Sequence, residues 1–161
     1  MQIRLLTKDD LPFLKKALYH AIHIPPGADV PSPDIIDHPE LARYVNDWML
    51  KPGDLGYLAE LNGLPIGAAW LRLWTGDDVG FGFLDRQIPE LSMSVVPGHR
   101  GQGVGTLLLN RLLEEADGRY EGVSLSVSSS NPARRMYERA GFEPSGATDG
   151  NSITMIKLFD R

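Results

Sequence analysis

Along this chain, short apolar runs of strand length alternate with stretches whose apolar residues recur every three or four positions, which predicts strands interleaved with helices. Gln2 to Leu6 reads as an opening strand. Thr7 stands where a helix N-cap would, and Asp9 and Asp10 complement the dipole of the first turn, so Leu11 to Ala21 is predicted as helix. Helical spacing returns in Glu40 to Leu50 through Leu41, Tyr44, Val45 and Trp48, and Lys51-Pro52-Gly53 ends it. Tyr57 to Leu61 and Ile66 to Trp74 read as strands joined by Asn62-Gly63, a dipeptide that tolerates the positive φ of a tight hairpin. Ile88 to Val96 is a further strand. Val104 to Ala116 is the clearest helix, with Val104, Leu107, Leu108, Leu112 and Ala116 on one face. Strand Val123 to Val127, helix Ala133 to Ala140 stopped by Gly141, and a last pair of strands around Asp149-Gly150 complete the pattern.

Two stretches interrupt it. Pro25-Pro26-Gly27 and Pro31-Ser32-Pro33 exclude a long helix or a central strand, and the glycine-rich Gly76 to Phe83 reads as a loop or an irregular strand. Antiparallel hairpins followed by strand, helix, strand and helix predict an α/β fold, a mixed sheet with helices on its faces. With 161 residues and no internal repeat, one domain over residues 1–161 is expected.

Composition narrows the chemistry. There is no cysteine, so disulfides, thiolate metal sites and a cysteine nucleophile are excluded. A net charge of −5 argues against a nucleic-acid partner, whose binding draws on lysines and arginines set against phosphates. Neither a signal peptide nor a bilayer-spanning run is legible, so a soluble cytoplasmic protein without membrane association is expected.

The densest signal is Val95-Val96-Pro97-Gly98-His99-Arg100-Gly101-Gln102-Gly103-Val104-Gly105, which links a strong strand to the strongest helix. Glycines let backbone approach a ligand and accept unusual dihedrals, and the unpaired amides of the following helix point outward with the positive end of its dipole behind them. A pyrophosphate fits that description. A Walker loop needs Gly-Lys-Ser or Gly-Lys-Thr, whereas Gly105 is followed by Thr106 with no lysine. A dinucleotide fingerprint needs a third glycine at position 106, which is threonine.

Arg100-Gly101-Gln102-Gly103-Val104-Gly105 resembles the Arg/Gln-x-x-Gly-x-Gly/Ala signature of the GNAT acetyltransferases. Asn131-Pro132-Ala133-Arg134-Arg135-Met136-Tyr137-Glu138-Arg139-Ala140-Gly141-Phe142 is similar to the family's second segment, Asn…Tyr-Glu-Arg-x-Gly-Phe. The resemblance covers Ile88 to Phe142 and the opening strand and helix, and hardly touches Pro25 to Pro39. It implies a mostly antiparallel sheet of six to seven strands with helices on both faces and parallel strands that splay at an acyl-CoA site. It also implies acetyl-CoA as acyl donor, no metal, and an amine acceptor. The matching residues would bind CoA: Arg100, Gly101, Gln102, Gly103, Val104 and Gly105 with Thr106 at the pyrophosphate, Ser94, Val95 and Val96 along the pantetheine arm, and Asn131 or Ser130 near it.

An alkylamine, with a pKa near 10.4 if lysine-like, must lose a proton before attacking a thioester. A base or a water relay is therefore required, a fixed amide can stabilise the oxyanion, and a weak acid near pKa 10 can protonate the leaving thiolate. The resemblance makes Tyr137 that acid, and Glu90, at the start of the strand that would carry the acetyl group, the first choice of base. Asp85 and Asp78 are reserves; His99 could titrate near neutrality, but its place inside the phosphate turn sets it to line the nucleotide or face solvent. His20 and His23 have a spacing compatible with a metal, but no carboxylate completes a site. Trp48, Trp70 and Trp74 read as core or sheet-face aromatics, and Asp29, Asp34, Asp37, Asp77 and Asp78 as loop carboxylates near an acceptor. The expected enzyme transfers acetyl directly to a primary amine in a ternary complex, as a homodimer; the alternative is a non-catalytic acyl-CoA-binding module.

Overall fold

A computed structural model describes residues 1–160, apart from the side chains of Ala147 and Asp149; Arg161, the last residue of the expected domain, lies outside the described residues. Strands β1 (Gln2–Leu5), β2 (Leu55–Leu61), β3 (Leu64–Arg72), β4 (Glu90–Val95), β5 (Gly122–Ser128), β6 (Glu143–Asp149) and β7 (Ser152–Leu158) form one sheet in the order β1-β2-β3-β4-β5-β7-β6. Every neighbouring pair is antiparallel except β4 and β5, which run parallel. Helices α1 (Leu11–Ala21), α2 (Pro39–Ala42), α3 (Val104–Asp117) and α4 (Ala133–Arg139) lie among them.

Alternate residues of the strands feed two cores, as the period of a strand requires. Tyr57, Ala59, Ala69, Leu71, Leu91, Val123 and Leu125 pack under α3 and α4, whereas Leu58, Ala68, Trp70 and Trp74 pack under α1 and the segment after α2. The mixed sheet with helices on both faces is therefore as expected.

Local chemistry explains most boundaries. Thr7 accepts from the Asp9 amide, and Asp10 accepts in return from the Thr7 amide at 2.8 Å, a capping box that opens a 3-10 turn (Lys8–Asp10) leading into α1. Asn62 and Gly63 have φ of 54° and 79°, the paired positive values of a tight hairpin turn. At the end of α4, Gly141 has φ of 103°, and the amides of Gly141 and Phe142 bond to the carbonyls of Glu138 and Tyr137, a Schellman ending.

Two expectations need correction. The helix predicted over Glu40 to Leu50 stops at Ala42, because side chains from β3 take the carbonyls that would have continued it. Arg72 Nη1 donates to the carbonyls of Arg43 and Asn46, and Trp70 Nε1 to that of Tyr44, while Asp47 and Met49 adopt φ of 55° and 70°. In α3, Leu107 is 48% exposed, and the buried stripe is Val104, Leu108, Leu109, Leu112, Leu113 and Ala116. The flank beyond Leu107 continues into Arg111, so the helix turns its other flank, Leu109 and Leu113, onto the sheet.

Candidate active site

β4 and β5 share a single registered pair, Glu90 with Ser124, supported by the Ser124 amide bonding to the Pro89 carbonyl at 3.0 Å. Past that point the two strands part, leaving a wedge between their C-terminal halves. On its other edge β4 is fully paired: the Val96 amide reaches the Ile66 carbonyl at 2.8 Å, and the register runs back from Gly67 opposite Val95 to Arg72 opposite Glu90. Because backbone groups of an antiparallel pair point alternately to and from the partner, Ser94 and Val96 direct theirs at β3, whereas Met93 and Val95 direct theirs into the wedge. The Ser94 hydroxyl is also occupied, donating to the Ala17 carbonyl at 2.6 Å.

Just beyond the wedge the chain makes its glycine-rich turn. Gly98, Gly101 and Gly103 have φ of 94°, 76° and 84°, and a Cβ built on any of them meets nothing, so here glycine serves the left-handed backbone and not a tight fit to protein. Gly105 differs: its Cβ would come within 3.3 Å of Met93 and 3.4 Å of Met136, so it sets the approach of α3 to β4 and α4. The first turn of α3 has no side-chain cap and no acidic residue, so its free amides and positive dipole are left for an anion. Val104 buries its side chain in the core and offers only its amide, while Gln102 and Thr106 are exposed. Arg100 braces the turn, donating to the carbonyls of Val95 at 2.9 Å and His20 at 3.1 Å. These residues fit a pyrophosphate through backbone N–H groups, and the wedge fits an extended arm carrying amides.

Glu90 is 3% exposed at the apex of the wedge, on the face of the sheet that α1 covers. Its Oε2 accepts from the Tyr44 hydroxyl at 2.7 Å and its Oε1 from Trp74 Nε1 at 2.9 Å, with the Gly82 amide as a further donor. The Tyr44 hydroxyl in turn accepts from the Phe81 amide at 2.7 Å. Gly80 and Gly82 carry this loop directly over the carboxyl: a Cβ at Gly80 would strike Glu90, Trp74 and the Tyr44 hydroxyl, and one at Gly82 would lie 2.7 Å from the Leu125 backbone. Burial pushes the Glu90 pKa up to about 7 against the lowering pull of its three donors. Tyr44 is pushed up by burial and by the neighbouring carboxylate.

The other wall is the turn from β5 to α4. Asn131 Oδ1 accepts from the Ala133 amide at 2.9 Å, which fixes the carboxamide and leaves its NH2 unengaged by protein among the described residues. Ser130 lies 3.2 Å from His23 Nε2 and 3.4 Å from Ser128 Oγ. Ser129, Ser130, Asn131, Arg134 and Arg135 line a groove of ≈ 520 Å³ at this turn. The Tyr137 ring is buried edge-on to Phe142, and its hydroxyl has no hydrogen-bond partner among the described residues; burial alone pushes its pKa up.

Of the predicted residues, Glu90 stands at the apex of the wedge, Val95 turns backbone toward it, the 100–106 turn lies at its mouth, and Asn131 and Tyr137 lie on α4 and its lead-in; Ser94 and Val96, expected along the same arm, instead turn their backbone groups to β3, because the antiparallel register with β3 claims them. Asp78 instead pairs with Arg43 at 2.9 Å, Asp85 accepts from the Gln87 amide at 2.8 Å, and His99 is half-buried in the turn. Burial, Arg100 and Lys16 lower the His20 pKa, and no group of three metal-binding side chains assembles among the described residues. Sequence reading missed Tyr44, which lies 46 residues before Glu90 in a segment read as plain helix, and Trp74, read as a core aromatic. It also missed Met93, although strict alternation from a core-facing Leu91 carries the information.

The family model of the acetyltransferase (GNAT) family matches residues 19–142. An uncharacterised N-acetyltransferase of Methanocaldococcus jannaschii is 31% identical over 160 residues, 96% of this chain and 66% of that protein. One of Bacillus subtilis is 39% identical over 98 residues, 52% of this chain and 65% of that protein. The chain thus spans just under two thirds of the relatives it matches. Among solved structures, that of yncA from Salmonella typhimurium with its cofactor acetyl-CoA superposes with a TM-score of 0.67 at 26% identity, covering 100% of this chain and 95% of that one. With the parted parallel strands and the glycine turn in place, the match over residues 19–142 identifies the chain as a member of the GNAT acetyltransferase family.

Proposed function

We propose that this chain is an N-acetyltransferase that moves the acetyl group of acetyl-CoA to a primary amine of a small molecule or peptide, in a ternary complex and without a metal. The observation that carries the reading is the parallel pair β4 and β5, joined only at Glu90 and Ser124 and parting beside a helix whose N-terminus the protein leaves uncapped. In this reading the amides from Arg100 to Thr106 hold the pyrophosphate. The backbone of Met93 and the amide of Val95 pair with the amide-bearing arm as a strand would, the Val95 carbonyl being held by Arg100, and the Asn131 NH2 group bonds beside it. The bound donor supplies an activated acyl carbon. Glu90 accepts the proton that the ammonium must lose, directly or through water, and Tyr137, held neutral by burial, donates one to the departing sulfur.

One domain carries all of these groups, and the setting we propose is a cytoplasmic homodimer. No helix among the described residues is long and apolar enough to cross a membrane. Replacing Tyr137 by Phe removes a hydroxyl that bonds to no described protein group, so turnover should fall at least tenfold while CoA affinity stays within twofold. Unchanged turnover in Tyr137→Phe would remove Tyr137 from the mechanism. The module reading is tested by release of the CoA thiol across an amine panel: tight CoA binding with no release for any amine would favour it.

A further inference from the structure

Arg72 of β3 and Glu90 of β4 are directly opposite residues in the antiparallel ladder and are 1% and 3% exposed. Residues so placed share a face of the sheet with Cβ atoms about 5 Å apart. Arg and Glu side chains so placed are long enough to bring their opposite charges into contact, and buried opposite charges in contact attract strongly. Yet among the described residues no ion pair joins them. The Arg72 guanidinium is turned toward Asp54, with Nε at 3.0 Å from Oδ1 and Nη2 at 2.9 Å from Oδ2, and its Nη1 donates to the Arg43 and Asn46 carbonyls at 2.9 and 2.6 Å. Arg72 and Asp54 side chains are each 1% exposed, so this fork closes a fully buried pair at the ladder position opposite Glu90. Glu90 is left with neutral donors: Tyr44, Trp74 and the Gly82 amide.

We propose that Asp54 is a positioning residue for Glu90: by holding the Arg72 charge to itself, it keeps the carboxylate of Glu90 out of an ion pair and free to take up a proton. The inference rests on Glu90 being the base. The surroundings leave Arg72 as the charge that Asp54 controls. Arg43 lies close enough to lower the Glu90 pKa but is paired with Asp78. Arg86 donates to the Trp74 and Gly76 carbonyls. Tyr44 is a neutral phenol, β5 presents the uncharged Ser124, and the charges near α1, Lys16 and Arg100, bear on His20.

The test is the pH profile of kcat for Asp54→Asn against wild type, with Glu90→Gln beside it. An uncompensated Arg72 stabilises the ionised carboxylate, whether or not the guanidinium swings toward it. The rising limb should therefore move down by about 1–3 pH units, and its plateau should fall roughly tenfold because the base is weaker. Asp54→Asn/Arg72→Gln removes both charges and should return the limb to its wild-type position. If Glu90→Gln abolishes the limb while Asp54→Asn leaves it unmoved, the role of Asp54 is overturned and the base stands. If Glu90→Gln leaves the limb in place, the base assignment itself fails. Carbon-13 titration of the Glu90 carboxyl reads the same effect without turnover, and an unmoved midpoint in Asp54→Asn overturns the proposal.

Discussion

At the scale of the residue, Glu90 is the carboxyl buried at the apex of the wedge, and the proposed chemistry turns on it. It was legible as a candidate from its place at the start of β4, but its surroundings were not, because Tyr44 and Trp74 reach it through the tertiary fold. A carboxyl whose native pKa is about 7 and whose unfolded value is near 4.5 binds its proton more tightly in the native state. The native protein then binds more protons than the unfolded chain between those values, so stability falls as pH rises through that window and is level above it. The loss is on the order of 3 kcal/mol for such a shift, and urea titrations from pH 4.5 to 8 should record it; a wild-type profile flat over that range would contradict the burial of an unpaired carboxyl. In turnover the same group predicts a limb that rises through about pH 7 and disappears in Glu90→Gln.

At the scale of the element, sequence signals were strongest where the cause was local. Thr7 with Asp10, Asn62-Gly63 and Gly141 each fixed a boundary through capping or left-handed backbone, and the structure has each of them. The segment after α2 was illegible because its fate depends on Arg72 and Trp70, which take its carbonyls from a strand more than twenty residues away. Leu107 was misplaced because three consecutive leucines leave the direction of a helical stripe open, and Arg111 decides it. The glycine turn is an element whose backbone demands can be tested directly. Gly103→Ala puts a Cβ on a φ of 84°, which costs about 1–2 kcal/mol, and the melting temperature should fall by several degrees. Because the altered backbone is also the proposed anion site, calorimetry should record CoA affinity at least tenfold weaker, whereas Gly27→Ala, at a φ of 83° in the proline-rich loop, should leave it unchanged. Equal effects of the two variants on CoA binding would contradict the assignment.

At the scale of the whole molecule, two cores on opposite faces of the sheet hold β4 between α1 and α3, and β4 is the strand that everything at the site refers to. Leu112 is fully buried in the α3 core, so Leu112→Ala should destabilise by about 2–5 kcal/mol without altering the pH profile of the remaining folded enzyme. Among the described residues the parting of β4 and β5 leaves the backbone of Met93 and the amide of Val95 without a strand partner. A ligand that pairs with them should stabilise the fold, by about 2.7 kcal/mol at a hundredfold excess over its Kd. The sequence carried the order of strands and helices over Ile88 to Phe142 and the location of the wedge. It did not carry the loop of Gly80 and Gly82, which is shaped by contacts with Glu90 and β5. Acetyl transfer is tested most directly by mass spectrometry of an amine panel incubated with the protein and acetyl-CoA carrying a labelled acetyl group. An acetyltransferase with Glu90 as base gives a labelled acetylamine in step with CoA thiol, and both are lost in Glu90→Gln near pH 7; tight CoA binding without any labelled amine would rule out transfer.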